Sequence, residues 1–361
     1  MRVMVVARPG VGGVARVLEA MFRRLPQRGI EGTAVLSGLE GTEILDVARK
    51  YGWDVLRLDL KRDVSFLSDA MAMWRLRREF GLHDVVHAHA AKAGALVRLA
   101  RPKVPIVYAP HGFYFTYHAE GSKPWRKYLA LEQRLAPGTS LLHCVSAAER
   151  DLAVRHGLID AADAVVLPNP IPPRRADAPS VGAPPAGERV VVMAARLSDP
   201  KDPLTYVRAA GLVDASLGAR FLLVGEGPLL AAAKAEASKL PAGRVIFVPA
   251  NADVRTLLAG SHVAVLSSSS EALPMFLLEA LAEGVPAVAS DLPGCREAAG
   301  DAAVYVPPGD AAAMAEAITR LLRDDKLRWK MSKAATKRVA LFDEDRWLDG
   351  LVAMYQRAVG G

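Results

Sequence analysis

Residues 267–286 read SSSSEALPMFLLEALAEGVP, and this segment gives the clearest indication of the fold. The four serines follow the apolar run Val263–Leu266, and Pro274 suits the first turn of a helix, where its missing N–H is not needed. The helix is apolar on nearly all sides, which predicts burial, and Gly284 marks its end. Another apolar run, Ala287–Ala289, follows directly. A strand, a buried helix and a second strand in this order predict a βαβ unit with parallel strands.

The same alternation continues along the whole chain of 361 residues. Short apolar runs alternate with amphipathic segments, which is typical of parallel sheets covered on both faces. It stops once, at Pro168–Gly187, which holds seven of the 24 prolines and is typical of an extended linker. The predicted strands are Val3–Ala7, Thr33–Leu36, Val55–Leu58, Asp84–Ala88, Val104–Ala109, Leu141–Val145, Ala164–Leu167, Val190–Ala194, Phe221–Val224, Val245–Val248, Val263–Leu266, Ala287–Ala289 and Ala303–Val306.

This pattern predicts an α/β protein with two Rossmann-like, doubly wound parallel-sheet domains that face each other across a cleft. Residues 1–170 form the first domain, residues 171–188 the Pro-rich linker and residues 189–342 the second domain. Residues 343–361 are predicted to form a C-terminal helix that packs on the first domain.

The net charge of +7 lies entirely in the first half of the chain. Residues 1–170 carry 24 Lys and Arg against 17 Asp and Glu, whereas residues 171–361 carry 22 of each. A basic surface suits an acidic acceptor or peripheral contact with an anionic membrane through the first domain. Nucleic acid is not expected, because no nucleic-acid motif is present. The simpler alternative is a basic excess without a role.

Cysteine usage and the start of the chain bear on the compartment. Cys144 and Cys295 match no metal-ligand spacing and no disulfide framework, which favours a reducing compartment. The opening apolar run is short for a secretory signal, and no run reaches the ~18 apolar residues of a spanning helix. We expect a cytoplasmic protein, with peripheral attachment to the inner face of the membrane as the alternative.

Two acidic residues mark residues 267–286 as a candidate ligand site. Ligands of open parallel sheets bind beyond the carboxyl ends of the strands, where Glu271 lies. Glu279 lies inside the apolar helix, where a carboxylate is costly unless hydrogen-bond donors reach it. A ribose diol would supply two donors. The alternative is that Glu279 and Glu283 share a solvated stripe.

Two cations follow the first strand of the second domain, Arg196 and Lys201. Arginine binds phosphate oxygens as a planar fork, and lysine acts as a point charge. The alternative is an ordinary charged loop in which Lys201 pairs with Asp199 or Asp202.

The first strand of the chain is followed by a glycine-rich loop that includes Gly12 and Gly13, which would bring backbone amides to an anion. Gly10, Gly12 and Ala15 also fit a loose dinucleotide fingerprint, so an NAD-dependent oxidoreductase is the alternative. That fingerprint expects an acid at the end of the second strand, where the chain has Ser37-Gly38. A tight turn without a ligand is a third interpretation.

Histidines close two strands of the first domain. His111, followed by Gly112, is placed to donate to a sugar hydroxyl or to developing negative charge, although a structural hydrogen bond is the more ordinary role. His87 and His89 lie on one face of the preceding strand, which favours packing or acceptor contact over a metal site.

Together these residues resemble the retaining glycosyltransferases of family 4, whose two-domain architecture is called GT-B. Glu271 and Glu279 match the family's Glu-x7-Glu spacing, Arg196 and Lys201 its basic pair. Gly12-Gly13 falls on its glycine loop, His111 on its cleft histidine, and Val166–Pro170 on the segment that leads into its linker. Ala272 replaces a frequent glycine, and Ser198–Pro200 departs from the usual residues before the second cation; both leave the donor sugar open. The segments His87–Gly94 and His111–Phe115 look closest to bacterial exopolysaccharide and capsule members.

The resemblance implies a retaining, metal-independent hexosyltransferase of polysaccharide biosynthesis. It would move a sugar from a nucleoside-diphosphate sugar, with UDP favoured, to a glycan, lipid-linked or small-molecule acceptor, with no cofactor. A non-catalytic nucleotide-sugar-binding module is the remaining alternative. The residues expected in catalysis are His111, Glu271, Arg196 and Lys201. The residues expected to bind the donor are Gly12, Gly13, Arg196, Lys201, Glu271, Leu273, Pro274, Met275, Phe276 and Glu279.

The acceptor is predicted to contact the first domain through His87, His89, Lys92 and Tyr114. The segment Phe113–Tyr128 mixes aromatic and basic residues, which suits either an anionic membrane surface or a loop that covers a bound acceptor.

Overall fold

The computed structural model describes residues 1–8, 12–37, 43–61, 65–172 and 189–360. The chain divides into two compact units, which we call the first unit (Met1–Pro170 with Glu344–Gly361) and the second unit (Ile171–Asp343). Each contains one parallel sheet, so the predicted α/β class with two Rossmann-like domains is confirmed. The segment 173–188 of the predicted linker lies outside the described residues, as do Gly10 and Gly38.

The first unit has a seven-stranded sheet in the order β3-β2-β1-β4-β5-β6-β7, and every pair is parallel. Its strands are β1 Arg2–Ala7, β2 Glu31–Ser37, β3 Asp54–Leu58, β4 Val85–His89, β5 Ile106–Ala109, β6 Leu141–Cys144 and β7 Ala164–Val166. Its helices up to residue 170 are α1 Gly13–Arg24, α2 Glu43–Lys50, α3 Phe66–Glu79, α4 Ala90–Ala100, α5 Lys123–Leu135 and α6 Ala147–Arg155.

The second unit has a six-stranded parallel sheet in the order β10-β9-β8-β11-β12-β13. Its strands are β8 Val190–Ala194, β9 Arg220–Val224, β10 Val245–Val248, β11 Val263–Leu266, β12 Ala287–Ser290 and β13 Ala303–Val306. Its helices are α7 Pro203–Leu212, α8 Leu230–Ala237, α9 Val254–Ala259, α10 Met275–Ala282, α11 Pro293–Ala299, α12 Ala311–Arg323 and α13 Asp325–Val339.

Alternation along β1 shows how one strand supplies two cores. Val3 and Val5 face one side of the sheet and pack in a cluster with residues of α1 and α2. Met4 and Val6 face the other side and pack in a cluster with residues of α3 and α4. All four side chains are fully buried, which is why this strand reads as a continuous apolar run.

The last helix, α14 (Glu344–Gly360), belongs to the first unit although it follows the second in sequence. Trp347 and Leu351 join the same buried cluster as α1. At its start, the Glu344 carboxylate accepts from the guanidinium groups of Arg23 and Arg24, at 2.5 and 3.0 Å. The C-terminal helix is therefore anchored by apolar burial and by a shielded ion pair.

Candidate active site

The strand order of each sheet reverses at one point, and ligands of such sheets bind beyond the carboxyl ends of the strands at that reversal. In the second unit it lies between β8 and β11, which pair directly. The loop after β8 is Arg196–Asp202, here called the cation loop. The loop after β11 is Ser267–Pro274, here called the serine loop. Both predicted motifs of the second unit therefore lie at this reversal.

Hydrogen bonds hold the cation loop and the serine loop together. The Ser267 hydroxyl donates to the carbonyl oxygens of Lys201 and Asp202, at 3.0 and 2.7 Å. The Ser269 amide donates to the carbonyl oxygen of Pro200 at 2.9 Å. Ser267 is fully buried, so these bonds are shielded from water. The two loops form one platform.

Lys201 and Glu271 form the ionic centre of this platform. The Lys201 Nζ lies 2.5 Å from Glu271 Oε1, and the Ser268 hydroxyl donates to the same oxygen at 2.6 Å. Asp202, one of the partners expected for an ordinary charged loop, caps α7 instead by accepting from the Thr205 amide at 3.1 Å. The structure thus brings together two residues that the sequence separates by seventy positions.

Arg196 supplies a second positive group on the cation loop. Its side chain is exposed, and it has no ion pair with any residue in the part of the chain that the structure describes. An exposed guanidinium on the same loop as a lysine that is already paired is a ready partner for an incoming anion.

The helix that follows the serine loop, α10, is buried on nearly every side, as its sequence predicts. Glu279 and Glu283 are both almost inaccessible, so the alternative of a shared solvated stripe is wrong. Glu283 has a structural role, because its carboxylate lies 2.6 Å from the Arg255 guanidinium. At the start of α10, Leu273, Pro274 and Phe276 are buried, and Met275 is half-buried.

Gly294, which sequence reasoning did not single out, packs closely against the backbone of the serine loop. It lies in the first turn of α11, after the strand next to β11. A Cβ atom at Gly294 would lie 2.4 Å from the carbonyl oxygen of Ala272 and 2.6 Å from that of Glu271. Both neighbours are backbone atoms, so only glycine allows this approach. The Pro293-Gly294 pair after a predicted strand was the available sequence signal.

The first unit gathers four histidines at the carboxyl ends of β4, β5 and β6. His89 Nδ1 lies 2.9 Å from His111 Nε2. His87 Nδ1 lies 2.8 Å from the Tyr355 hydroxyl of α14, and His143 Nε2 donates to the carbonyl oxygen of Leu167 at 2.9 Å. His87 and His89 share a face, as alternation predicts, with ring centroids 4.0 Å apart.

The prediction that His87 and His89 contact an acceptor conflicts with their burial. Neither has any exposed surface, because the C-terminal helix and the neighbouring imidazoles cover them. A side chain without exposed surface cannot touch a ligand in this conformation. Of the two interpretations made from the sequence, packing is the one that fits. His111, at the end of β5, is partly exposed.

All four imidazoles are held neutral. Burial lowers the pKa of His111 to about 3 and that of His143 to about 4. Burial, followed by the neighbouring imidazoles, also lowers the pKa of His87 and His89 well below the ordinary value. His111 is therefore a neutral hydrogen-bonding group and not a cation at physiological pH.

This cluster predicts loss of stability in mild acid. Below pH 6.5 the unfolded chain binds protons at these histidines while the folded chain does not, so stability is fully present above that pH and falls towards pH 4. Each histidine contributes up to about 1.4 kcal/mol per pH unit. Urea unfolding of the first unit between pH 7 and pH 5 measures this slope, and His143→Asn should reduce it. A flat profile over that interval would contradict the assignment.

The backbone is strained where these histidines lie. Ala90 and His111 have φ of 65° and 52°, which non-glycine residues rarely adopt, and such strain concentrates at functional sites. Glu149 fixes the second of these turns, because its carboxylate accepts from the amides of Gly112 and Val145 at 2.7 and 2.8 Å. Sequence reasoning missed Glu149, although Ser146-x-x-Glu149 is a capping-box pattern.

The other residues predicted in the first unit have these positions. Lys92 is paired with Asp69 at 2.6 Å. Tyr114 is half-buried and packs edge-on against Tyr128, with centroids 4.6 Å apart. Gly12 has φ of 115° and precedes α1, which begins at Gly13.

Across the described ranges, no group of three or more His, Cys, Asp or Glu could hold a metal ion. Cys144 and Cys295 are free and buried. None of the helices described is long and apolar enough to span a bilayer.

Comparison with known proteins finds glycosyltransferase domains in both halves of the chain. Residues 12–170 match the family profile described as glycosyl transferase 4-like domain, and residues 175–338 match glycosyl transferases group 1. The chain is 27% identical over 293 residues to the putative glycosyltransferase EpsD of Bacillus subtilis, covering 76% of each protein. It is 29% identical over 307 residues to D-inositol 3-phosphate glycosyltransferase of Mycobacterium tuberculosis, covering 78% of this chain but only 63% of that relative.

Solved structures share the fold over the whole chain. Sucrose-phosphate synthase from Thermosynechococcus elongatus matches with a TM-score of 0.78 at 18% identity, covering 99% of this chain and 98% of that one. Anabaena HepE, solved with UDP and glucose, matches with a TM-score of 0.78 at 18% identity, covering 99% and 100%. The fold is that of the GT-B glycosyltransferases.

The chain belongs to the glycosyltransferases that join a glycosyl transferase 4-like domain to a group 1 glycosyl transferase domain, and it is a transferase enzyme. The alternative of an NAD-dependent oxidoreductase is therefore wrong. At the end of β2, where that alternative needs an acid, the chain has the buried Ser37.

Proposed function

We propose that the second unit binds a nucleoside-diphosphate sugar, with UDP as the nucleotide, and that the enzyme transfers the sugar with retention of configuration. The observation that carries this proposal is the ion pair of Lys201 and Glu271 at the reversal of the second sheet. An incoming diphosphate competes with Glu271 for the ammonium group. The displaced carboxylate is then free to accept hydrogen bonds from sugar hydroxyls.

Departure of the diphosphate is the step that needs electrostatic stabilisation. Arg196 and Lys201 supply two positive groups on one loop, and fixed charges of this kind stabilise a leaving group without reorganisation. These two cations and the backbone at Leu273–Phe276 are sufficient ligands in this proposal, so no metal ion takes part. The Glu279 carboxylate accepts hydrogen bonds from the ribose hydroxyls.

Support for UDP comes from related structures and from the family resemblance. The HepE structures contain UDP, in one case with glucose, and their fold matches this chain. Retention and metal independence follow from the resemblance to family 4. The sugar itself stays open, since Ala272 alters the pocket that surrounds it.

For the first unit we propose that Gly12, Gly13 and His111 contact the donor, and that the acceptor is a sugar, a lipid-linked sugar or a small molecule. Lys92 and Tyr114 remain the proposed acceptor residues. Because the His111 imidazole is neutral, its role is to hydrogen-bond a hydroxyl. The two free cysteines and the basic first half of the chain favour action in the cytoplasm, with peripheral contact to an anionic membrane and none with nucleic acid.

The test is a thermal-shift screen of UDP-, GDP- and ADP-sugars, followed by product analysis with the one that stabilises most. We expect a UDP-sugar to raise the melting temperature and to yield a product with the donor's anomeric configuration. An inverted product would contradict retention, and the absence of stabilisation by any UDP-sugar would contradict the proposed donor.

Gly294→Ala tests the support of the serine loop. The added Cβ must push the backbone of Glu271 and Ala272 aside, and a displacement of about 1 Å can cost about 100-fold in turnover. We expect kcat to fall by roughly 10- to 100-fold while UDP affinity changes little.

The matched control for this prediction is Gly211→Ala in α7, where the added Cβ would meet the flexible end of the Leu240 side chain at 2.6 Å. It should retain most of the activity. Equal activities of the two variants would show that Gly294 does not position the loop.

A further inference from the structure

Helix α3 presents an apolar stripe to solvent. Leu67, Met71 and Trp74 recur at four- and three-residue spacing, which places them on one side of the helix, and Phe66 lies beside them. Phe66 and Leu67 are both 87% exposed, Met71 56% and Trp74 53%. Contiguous exposed apolar surface of this kind marks contact with a partner or a membrane.

The stripe is not needed to hold the helix on the first unit. The opposite face does that, through Ala72 and Leu76, which are buried in the cluster beneath the sheet. Asp69 adds an ion pair with Lys92 of α4 at 2.6 Å. The helix is therefore fixed in place while its outward apolar side remains open.

The fully exposed charges on α3 itself are positive. The Arg78 guanidinium lies 4.9 Å above the Trp74 ring, and Arg75 is exposed on the same side of the helix. Of the two acids in α3, Asp69 is buried with Lys92 and Glu79 is only partly exposed. An apolar stripe edged by arginine, with tryptophan at its end, is typical of helices that lie in the surface of an anionic bilayer.

The segment Phe113–Tyr128, which the sequence suggested for membrane contact, fits this role less well. Tyr114, Tyr117, His118 and Tyr128 pack against one another, with Tyr114 contacting the other three. Their aromatic surface is thus partly buried by packing within the segment, whereas the apolar side chains of the α3 stripe are exposed to solvent.

We propose that α3 is a membrane-docking helix, whose Leu67, Met71 and Trp74 side chains insert among the lipids while Arg75 and Arg78 contact anionic headgroups. This proposal names the helix that makes the membrane contact included in the proposed function, and the binding itself does not depend on the proposed donor. Its purpose rests on the proposed function, because docking would bring the enzyme to a lipid-linked acceptor.

The test is flotation of the full chain with vesicles of phosphatidylcholine, with and without 30–40% phosphatidylglycerol (roughly the anionic content needed for a strong surface potential). We expect the wild-type protein to float with the anionic vesicles only, and high salt to weaken the binding. The double variant Leu67→Gln/Trp74→Gln should lose at least tenfold in the bound fraction, and Arg78→Gln should lose less.

The matched control is Trp329→Gln in α13 of the second unit. Trp329 is also a half-exposed tryptophan under a cation, with Lys333 Nζ 3.6 Å from its ring centroid. This variant should float like the wild type. Equal flotation of the α3 variant and the wild type overturns the proposal. So does a wild-type protein that stays off the vesicles but forms oligomers that the α3 variant cannot form, since the stripe is then a protein interface.

Affinity for UDP, measured on the same proteins, separates this proposal from the proposed function. The α3 variants should bind UDP as the wild type does. Flotation without UDP binding would support the docking helix and contradict the proposed donor. UDP binding without flotation would support the proposed donor and contradict the docking helix.

Discussion

Lys201→Ala is expected to lower kcat by about 100-fold or more, and Arg196→Ala by a similar factor. In the proposed mechanism, each substitution removes a fixed positive group that stabilises the departing diphosphate. Lys201→Ala has a second effect, because Glu271 then loses its charged partner and keeps the Ser268 hydroxyl as a donor at Oε1. Steady-state turnover with the preferred nucleotide sugar measures both effects.

Two exposed cations of the second unit provide matched controls for this prediction. Lys239, in the turn after α8, pairs with Glu236 at 2.7 Å, and Arg208 of α7 approaches the same carboxylate at 3.4 Å; both cations are exposed. Alanine at either position should leave kcat within about twofold, since exposed pairs contribute little. Normal turnover in Lys201→Ala and Arg196→Ala would remove the cation loop from the mechanism.

Glu279→Ala is expected to weaken UDP binding by roughly 10- to 100-fold. A buried carboxylate that accepts from ribose hydroxyls forms charge-assisted hydrogen bonds, each worth roughly 1.5–3 kcal/mol. Calorimetric titration with UDP measures the loss, and Glu279→Gln, which keeps one acceptor, should lose less.

Glu283→Gln is the control on the same helix. Glu283 is equally buried but is committed to Arg255, so its substitution should lower thermal stability and leave UDP affinity nearly unchanged. If Glu279→Ala binds UDP like the wild type, Glu279 does not contact the nucleotide.

The strand pattern could be predicted from the sequence because each buried strand is a short apolar run that its own residues reveal. β8 and β11, for example, occupy the runs that their composition indicates, and the α/β alternation indicates that the strands are parallel. The position of the cation loop and the serine loop at one edge of the sheet followed from the same rule. These inferences need only neighbouring residues and the periodicity of a strand.

What the sequence could not supply were contacts between distant loops. No neighbouring residues in the sequence indicate that Lys201 pairs with Glu271, or that Gly294 packs against the carbonyl oxygen of Ala272. The burial of His87 has the same origin, since alternation shows which face of β4 it occupies but not that Tyr355 of α14 covers it. Such contacts depend on how loops and a returning helix pack.

The most direct test of the central claim, that the cation loop grips the diphosphate of the donor, is to compare the affinities of uridine and UDP by calorimetry. In the wild-type enzyme UDP should bind at least tenfold more tightly than uridine, and in Arg196→Ala/Lys201→Ala the two affinities should become nearly equal. UDP binding no tighter than uridine in the wild type, or an undiminished preference for UDP in the double variant, would contradict the claim.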